Sequence, residues 1–403
     1  MSEQQPLSPY VFCLDIETNG IKAEYACSKL NIKHTYNKAT TLTMECVGSF
    51  SADLFKLGSV VKVSGSHGFG DEVEGSPPFF PVSRGSEVLP LRFDGIVRVV
   101  RPTYNSVVIT CTDMISALTT GKVQNYNAVD YVGNDLYYIA KSVFDEFNEE
   151  NTSYGSTLGT YDKFGGKWFD TSLLKEGSGI LATEEMNLWG LQTPKQFLDK
   201  VFNEMYVKKT IGGDLANNYT DTEYYNWKYH VPFLNKVHFY YNDTRSFNPK
   251  VTHIINEDRA GIMIGGVSAQ IDTSRMVNSC TFTNSSDKTI IGSHEDVNSI
   301  AKYGKMSKSF SLNSTDAGYL QDQAYIMVER YKRPTYSYSL KTGLNFVFLP
   351  SDMVKLTAPS VSIDEVLPVE EVTFSVNNGS IETGVVLGEK QLPISEIIQR
   401  NLS

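Results

Sequence analysis

The chain has 403 residues, of which 41% are hydrophobic and 20% are charged, and its formal net charge is −10. This length and composition predict a globular protein of two to four domains with enough apolar residues for several cores. The acidic balance argues against a general binder of duplex nucleic acid, because such a protein needs basic surface to neutralise phosphates.

No segment approaches the ~20 consecutive apolar residues of a membrane-spanning helix. The first residues, MSEQQPLSPY, lack the basic and apolar regions of a signal peptide, so we expect the protein to be made in a cytoplasm. The five cysteines are scattered without CxxC spacing. This pattern predicts buried free thiols rather than a disulfide framework or a zinc site.

Residues 1–128 contain short alternating runs, typical of β-strands, separated by Gly, Pro, Asn and Ser. The link PTYNS between FDGIVRVVR and SVVITCTDMI predicts a hairpin turn. The Gly- and Pro-rich segment Gly65–Pro90 is long for a loop in a compact domain, so we expect it to be functional or ordered by a partner. We predict a β-barrel for residues 1–128.

Residues 129–232 change to helical spacing, which predicts an α+β module inserted between two β domains. Apolar residues recur from Leu136 to Phe147. A second helix should begin at Thr193, because Thr193 and Gln196 match a capping box and Pro194 suits the first turn. For residues 233–265 we expect connecting strands, with a return to the first β domain as one possible route.

Residues 266–390 predict a second small β-barrel with one helix packed on it. The helix should cover Asp316 to Tyr331, with Pro334 stopping it. A charged loop containing SIAKYG should precede the helix, and Asn378-Gly379 is a strong hairpin signal. A short helical tail is expected for residues 391–403. The predicted buried stripe of the main helix consists of Leu320, Ala324, Met327, Val328 and Tyr331.

The segment FCLDIETNG is the best candidate for catalysis. Asp15 and Glu17 lie one residue apart on an apolar strand and resemble the first motif of DEDD-type 3′–5′ exonucleases, in which such carboxylates bind divalent metal. The further aspartates of that motif lack their required spacing here, since His294 is followed directly by two acids. A strand end with two solvated or paired acids is the simpler interpretation.

Other patterns also give no catalytic site. The six histidines form no HExxH motif, and the glycine clusters HGFGDEVEG and GIMIGGV lack the GK[ST] ending of a phosphate loop. Acid pairs such as Glu184/Glu185 are compatible with glycoside hydrolysis but are more often solvated charge. We therefore predict no enzyme activity, no cofactor and no metal.

Charged clusters in the last third suggest a subunit interface, because Arg is enriched at interfaces and pairs well with carboxylates. A solvated surface is the alternative. The predicted interface residues are Lys302, Tyr303, Lys305, Arg330 and Arg333, facing Asp364, Glu365, Glu370 and Glu371 on a neighbouring chain.

The last third resembles the hub proteins of tailed-bacteriophage baseplates and of contractile injection machines. The resemblance covers about 120 residues and rests on an ordered set of short motifs: DTSRMVNSCTFTNS, DVNSIAKYG, ERYKRPTYSYSL, LPSDMVKL and VTFSVNNGSIETGVVLG. The matching positions are Asp272, Ser274, Asn278, Ser299, Ile300, Tyr303, Gly304, Pro334, Pro350, Asp352, Val354, Thr383, Leu387 and Gly388.

The resemblance implies a mainly β fold with two tail-tube-like barrels, each with a packed helix. The central α+β module is predicted from helical spacing alone. It further implies a homotrimer in the virion tail, whose pseudo-sixfold ring joins the tail tube to the central spike. Other partners would be the tape-measure protein and further baseplate proteins, with DNA passing through the lumen. Residues 130–232 match nothing in that family. A tail-tip receptor-binding module, using the aromatic loop Pro77–Val82, is a further alternative.

Overall fold

The structure is a computed structural model of the chain, and its fold is mainly β. It describes residues 12–18, 21–35, 37–47, 55, 57–67, 91–152, 168–172, 174, 177–183, 186, 188, 190–211, 221–231, 236–241, 251–258, 265–342, 348–350, 352–377 and 380–388.

Six antiparallel strands form the N-terminal part. They are β1 (Phe12–Thr18), β2 (Ile21–Thr35), β3 (Thr41–Val47), β4 (Val60–His67), β5 (Leu91–Pro102) and β6 (Ser106–Thr112). The pairing order is β1–β4–β5–β6–β3–β2, and β1 also pairs with β2, so the pairings return to the strand where they began. Buried and half-buried residues alternate along β6, as the period of its sequence predicts.

The middle of the chain forms a mixed helical and β module. Its elements are α1 (Ile115–Thr119), β7 (Gln124–Tyr126), α2 (Leu136–Thr152), β8 (Gly190–Gln192), α3 (Pro194–Glu204), β9 (Tyr206–Ile211), β10 (Asp221–His230) and β11 (His238–Tyr241). The predicted capping box is confirmed, since Thr193 and Gln196 exchange side-chain and backbone hydrogen bonds at the start of α3. Helices α2 and α3 share an aromatic core with β10 that includes Phe144, Phe202 and Tyr229.

The C-terminal part contains nine strands and two α-helices among the described residues. They are β12 (His253–Asn256), β13 (Ser268–Asp272), β14 (Ser279–Asn284), β15 (Ile291–Glu295), α4 (Val297–Tyr303), β16 (Ser307–Leu312), α5 (Ala317–Tyr331), β17 (Thr335–Thr342), β18 (Met353–Ala358), β19 (Ile363–Asn377) and β20 (Ser380–Gly388). Six of the strands form a sheet in the order β12–β18–β19–β20–β17–β13. Strand β19 also pairs with β2, which makes one sheet of the first and last parts of the chain.

Helix α5 matches its predicted extent and its predicted buried stripe. The expected packing of this helix on the C-terminal barrel is wrong, however, because α5 covers a separate three-stranded sheet of β15, β14 and β16. Alternate residues of β14, Cys280 and Phe282, point at α5 and form a core distinct from that of the six-stranded sheet. The region therefore has two cores, whereas its sequence period predicted one.

The segment SIAKYG belongs to a short helix, α4, instead of the predicted loop. Asp296 caps the start of α4 by accepting a hydrogen bond from Ser299 N at 2.7 Å. Gly304 ends it with a φ of 82°, a conformation that glycine adopts without strain. Seven residues are too few for a helical period to stand out in the sequence.

Two strands are described within residues 233–265, for which a return to the first β domain was one predicted route. Strand β11 pairs with β10, and β12 pairs in parallel with β18, so neither of the strands described in this range pairs with the N-terminal strands. The predicted turn Asn378-Gly379, most of the segment Gly65–Pro90 and the tail 391–403 lie outside the described residues. None of the helices within the described ranges is long and apolar enough to span a bilayer.

Gly292 provides a test of the packing between α5 and its sheet. A Cβ atom at this position would lie 2.2 Å from the backbone of Leu320 and Gln321, so the helix or the strand would have to move. We expect Gly292→Ala to lower the free energy of unfolding by about 1–3 kcal/mol, measured by urea denaturation. Gly266→Ala is the control, because its nearest neighbour is a Glu257 side-chain oxygen at 3.6 Å. Equal stability of the two variants would contradict this packing.

Candidate interaction surfaces

The antiparallel pairing of β2 with β19 joins the two ends of the fold. Seven residue pairs run from Thr35 opposite Glu371 to Lys29 opposite Asn377. Phe374 and Val376 of β19 are buried in the core of the N-terminal strands, and Lys33 Nζ lies 2.8 Å from Glu371 Oε1. Strand β19 is therefore part of both cores, since its Val369 and Val372 belong to the C-terminal core.

A buried ion pair ties the middle module to the same strand. Lys228 on β10 donates a hydrogen bond of 2.7 Å to Glu370 Oε1, and the side chains are only 9% and 1% exposed. The register of β19 against β20 shifts between Val369 and Glu371, so Glu370 occupies a bulge that turns its side chain away from the regular alternation. Glu370 therefore belongs to an internal contact, which corrects its prediction as an intersubunit acid.

Two buried histidines face each other across the contact between β2 and the middle module. His34 of β2 and His230 of β10 line a small cavity together with Asp113. The Asp113 carboxylate accepts hydrogen bonds from Thr40 N at 2.7 Å and Ile115 N at 3.0 Å, and burial raises its pKa to about 7. Burial lowers the pKa of His34 to about 4 and that of His230 well below its usual value. Both imidazoles are therefore neutral in the folded protein at neutral pH.

The predicted basic residues divide between surface and interior. Lys302, Lys305 and Arg333 are exposed, with Lys305 Nζ 2.5 Å from Glu295 Oε1 and Lys302 Nζ 5.1 Å from the centre of the Tyr303 ring. Arg330 is half-buried on α5 near Glu204 at the end of α3. Burial raises the pKa of Glu204 to about 7, and the charge of Arg330 opposes this rise.

The predicted acids divide in the same way. Asp364 and Glu365 are exposed at the start of β19, where Asp364 lies 2.8 Å from Lys355 Nζ and accepts a hydrogen bond from the Thr357 hydroxyl. Glu371 is paired with Lys33 inside the chain. Only Asp364 and Glu365 therefore retain the exposed position that an intersubunit role requires.

Sequence patterns missed two lysines that hold elements together. Lys228 lies on β10, and Lys332 is the C-terminal capping residue of α5. Lys332 Nζ lies 2.9 Å from Asp296 and 2.7 Å from Glu329, which links the end of α5 to the start of α4. The pairs Lys228–Glu370 and Lys332–Asp296 have no signal in the spacing of the sequence, because each depends on the tertiary arrangement. Glu329 and Lys332, three residues apart at the end of α5, form a local pair.

Asp15 and Glu17 lie on β1, an inner strand that is antiparallel to both of its neighbours. Asp15 is opposite Glu24 and Ser64, and Glu17 is opposite Lys22 and Lys62. Within the described part of the chain, no cluster of three or more His, Cys, Asp or Glu residues could hold a metal ion. Cys46, Cys111 and Cys280 are buried and form no disulfide, as predicted for these three cysteines.

The ion pair between Lys228 and Glu370 can be tested by a double-mutant cycle. Lys228→Met leaves a buried carboxylate without its cation, so we expect it to cost about 3–5 kcal/mol of unfolding free energy in urea. The double variant Lys228→Met/Glu370→Leu should recover most of this loss. Lys341→Met breaks the exposed pair with Glu382 and should cost less than about 1 kcal/mol. If the losses of unfolding free energy in Lys228→Met and Glu370→Leu simply add in the double variant, the ion pair between these side chains is contradicted.

The buried histidine His34 predicts acid sensitivity. Since its folded pKa lies below that of the unfolded chain, its contribution to stability is present at neutral pH and is lost as the pH falls from about 6.5 toward 4. His34→Gln should therefore gain about 2 kcal/mol relative to the original protein between pH 7 and pH 5. Asp113, whose raised pKa acts in the opposite direction, is common to both proteins. Parallel pH profiles of urea unfolding would show that His34 is not buried and neutral.

No protein-family model and no curated protein matches this chain. Solved structures do match. A tail protein from Neisseria meningitidis MC58 superimposes with a TM-score of 0.61 at 12% identity, covering 94% of this chain and 97% of the other. The 43 kDa tail protein of prophage MuSo2 from Shewanella oneidensis gives 0.54 at 11% identity, covering 93% and 98%. The predicted resemblance to phage tail proteins is thus confirmed at the level of the fold.

Proposed function

We propose that the protein is a structural hub of a phage tail baseplate. The observation that carries this proposal is the continuous sheet through β2 and β19, which sets two groups of six strands side by side in one chain. We interpret each group as a tail-tube-like barrel. Three chains would then supply six barrels, as many as a sixfold tail tube presents to its neighbour.

The likeness to two solved tail proteins supports this proposal, because it extends over nearly the whole of each chain. The separate cores of the two strand groups support it as well, since each group can act as one block of a ring. In this arrangement the tail tube lies on one side of the ring and the central spike on the other. The tape-measure protein and other baseplate proteins are the remaining partners, and the virion tail is the location.

The middle module would have a bracing role within the hub. Its strand β10 holds β19 through the buried ion pair. It holds the turn after β2 through two hydrogen bonds, from Asn37 N to Tyr229 O and from Tyr229 N to Asn37 Oδ1. A ring that transmits force along a tail requires fixed angles between its barrels. The module contacts both strands of the junction and could fix that angle.

The charge of the chain suits a channel for DNA. With a net charge of −10, a lumen lined by acidic residues would repel phosphates and let DNA pass without binding. A net-basic lumen in an assembled tail would contradict this part of the proposal.

Two alternatives remain. A nuclease that uses Asp15 and Glu17 would cleave DNA with magnesium or manganese and lose this activity in Asp15→Ala. The all-antiparallel surroundings of β1 favour a structural strand, because the exonuclease motif belongs to a mixed α/β sheet. A receptor-binding module would use the aromatic loop Pro77–Val82, which lies outside the described residues.

Solution mass and tail reconstruction test the hub directly. We expect the purified chain to form trimers as its concentration rises, and we expect a reconstruction of the tail to contain three copies in a pseudo-sixfold ring between tube and spike. A monomer at every concentration, together with binding of a host glycan or protein, would favour the receptor-binding alternative and contradict the hub.

A further inference from the structure

A closed ring needs a second junction between N-terminal and C-terminal strands, this time between neighbouring copies. We propose that the outer edge of β5 at Arg98–Pro102 lies beside β13 of a second copy of this chain. The inference rests on the proposed function and identifies the two edges that would meet.

The position of β5 in the N-terminal strands supports this junction. In the cycle of pairings β1–β4–β5–β6–β3–β2, strand β5 is three strands from β2 in either direction. Strand β2 already carries the internal junction with β19. A block in a ring touches its two neighbours on different sides, so the side of β5 is where the next copy is needed.

The far half of β5 has an edge without a strand partner among the described residues. Strand β4 pairs with β5 up to Ile96, and Gly58 and Ser59 exchange backbone hydrogen bonds with Val97. From Arg98 to Pro102, β6 pairs with one edge, while no strand in the described ranges pairs with the other. Open backbone donors and acceptors on such an edge are a template for another strand.

Strand β13 offers the matching edge on the C-terminal side. It is three strands from β19 and ends its sheet, pairing only with β17 among the described residues. Ile271 is 62% exposed and Tyr336, its partner on β17, is 44% exposed. The strand SAQID contains no Lys or Pro, which often protect an edge from pairing, and on the β5 side only Pro102 lacks a backbone N–H.

Charge and an exposed aromatic ring favour the same pairing. Residues 98–112 contain Arg98 and Arg101 and no acid, whereas β13 contains Asp272 and no base. Tyr104 at the hairpin tip is 97% exposed, and its turn is held by a hydrogen bond of 2.7 Å from Thr103 N to Ser106 O. An aromatic side chain on a rigid turn is a typical anchor, because little conformational freedom is lost on binding.

Cross-linking between two differently tagged chains tests the junction. One chain carries Arg101→Cys and the other Gln270→Cys, and a bifunctional maleimide is added to their mixture and to each chain alone. Cys13 and Cys27 are replaced by Ser in both chains, and Cys46, Cys111 and Cys280 are buried. We therefore expect a cross-linked dimer in the mixture and in neither chain alone. As the control, Lys122→Cys replaces Arg101→Cys, at a side chain that is 73% exposed, and should give no cross-linked dimer.

A substitution on β13 tests the same edge without cross-linking. Ile271→Lys places a charge on β13 and should weaken self-association at least about tenfold in sedimentation, which corresponds to about 1.4 kcal/mol. Ile291→Lys, at a residue 50% exposed on β15, is the matched control and should associate normally. Unchanged thermal melting should show that both variants fold.

The outcomes separate the two proposals. One outcome contradicts only the junction between β5 and β13. In that outcome Ile271→Lys associates as well as the original protein and no mixed cross-link forms, and the proposed ring is not contradicted. If the original protein stays monomeric at every concentration and in assembled tails, the ring and this junction both fail. Loss of association in Ile271→Lys together with the mixed cross-link would support both.

Discussion

The fold depends on one pairing between strands from opposite ends of the chain. Strands β2 and β19 are each fifteen residues long, and each serves two groups of neighbours. The first half of β2 pairs with β1, while its second half pairs with β19 and β3. The first half of β19 pairs with β18, and its second half completes the N-terminal core. Without this pairing the two six-stranded groups would be separate domains on a long tether.

Polar groups at the same junction give it a defined geometry. Apolar strands slide easily in register, but Lys228 and Glu370 are buried and lose much of their stabilisation if the register changes. The bulge at Glu370 constrains the register further. The Glu370 side chain can face β10 only when β19 is correctly paired with β20. His34, His230 and Asp113 form a further buried polar contact between the sheet and the middle module. We infer that these polar contacts fix the angle between the N-terminal and C-terminal groups of strands more than they maximise stability.

Local features of the fold were predictable from the sequence, and non-local ones were not. The capping box at Thr193 and the apolar stripe of α5 were predicted correctly, because each depends on residues three or four positions apart. The sheet that α5 covers was not predicted, since β14–β16 have the same alternation as the strands of the main sheet. Glu370 and Glu371 look alike in sequence, yet one is buried beside Lys228 and the other pairs with Lys33 at the surface. Only the bulge distinguishes them.

The pairing of β2 with β19 also affects how the protein is made. Strand β2 is synthesised long before Phe374 and Val376 of β19, which complete its core. Until then the nascent chain exposes an apolar strand edge, and contacts so distant in sequence form slowly. A chain that stops before β19 lacks this part of the N-terminal core and the contact that holds the middle module. Synthesis of β19 would therefore decide whether a chain can complete its N-terminal core and hold its middle module.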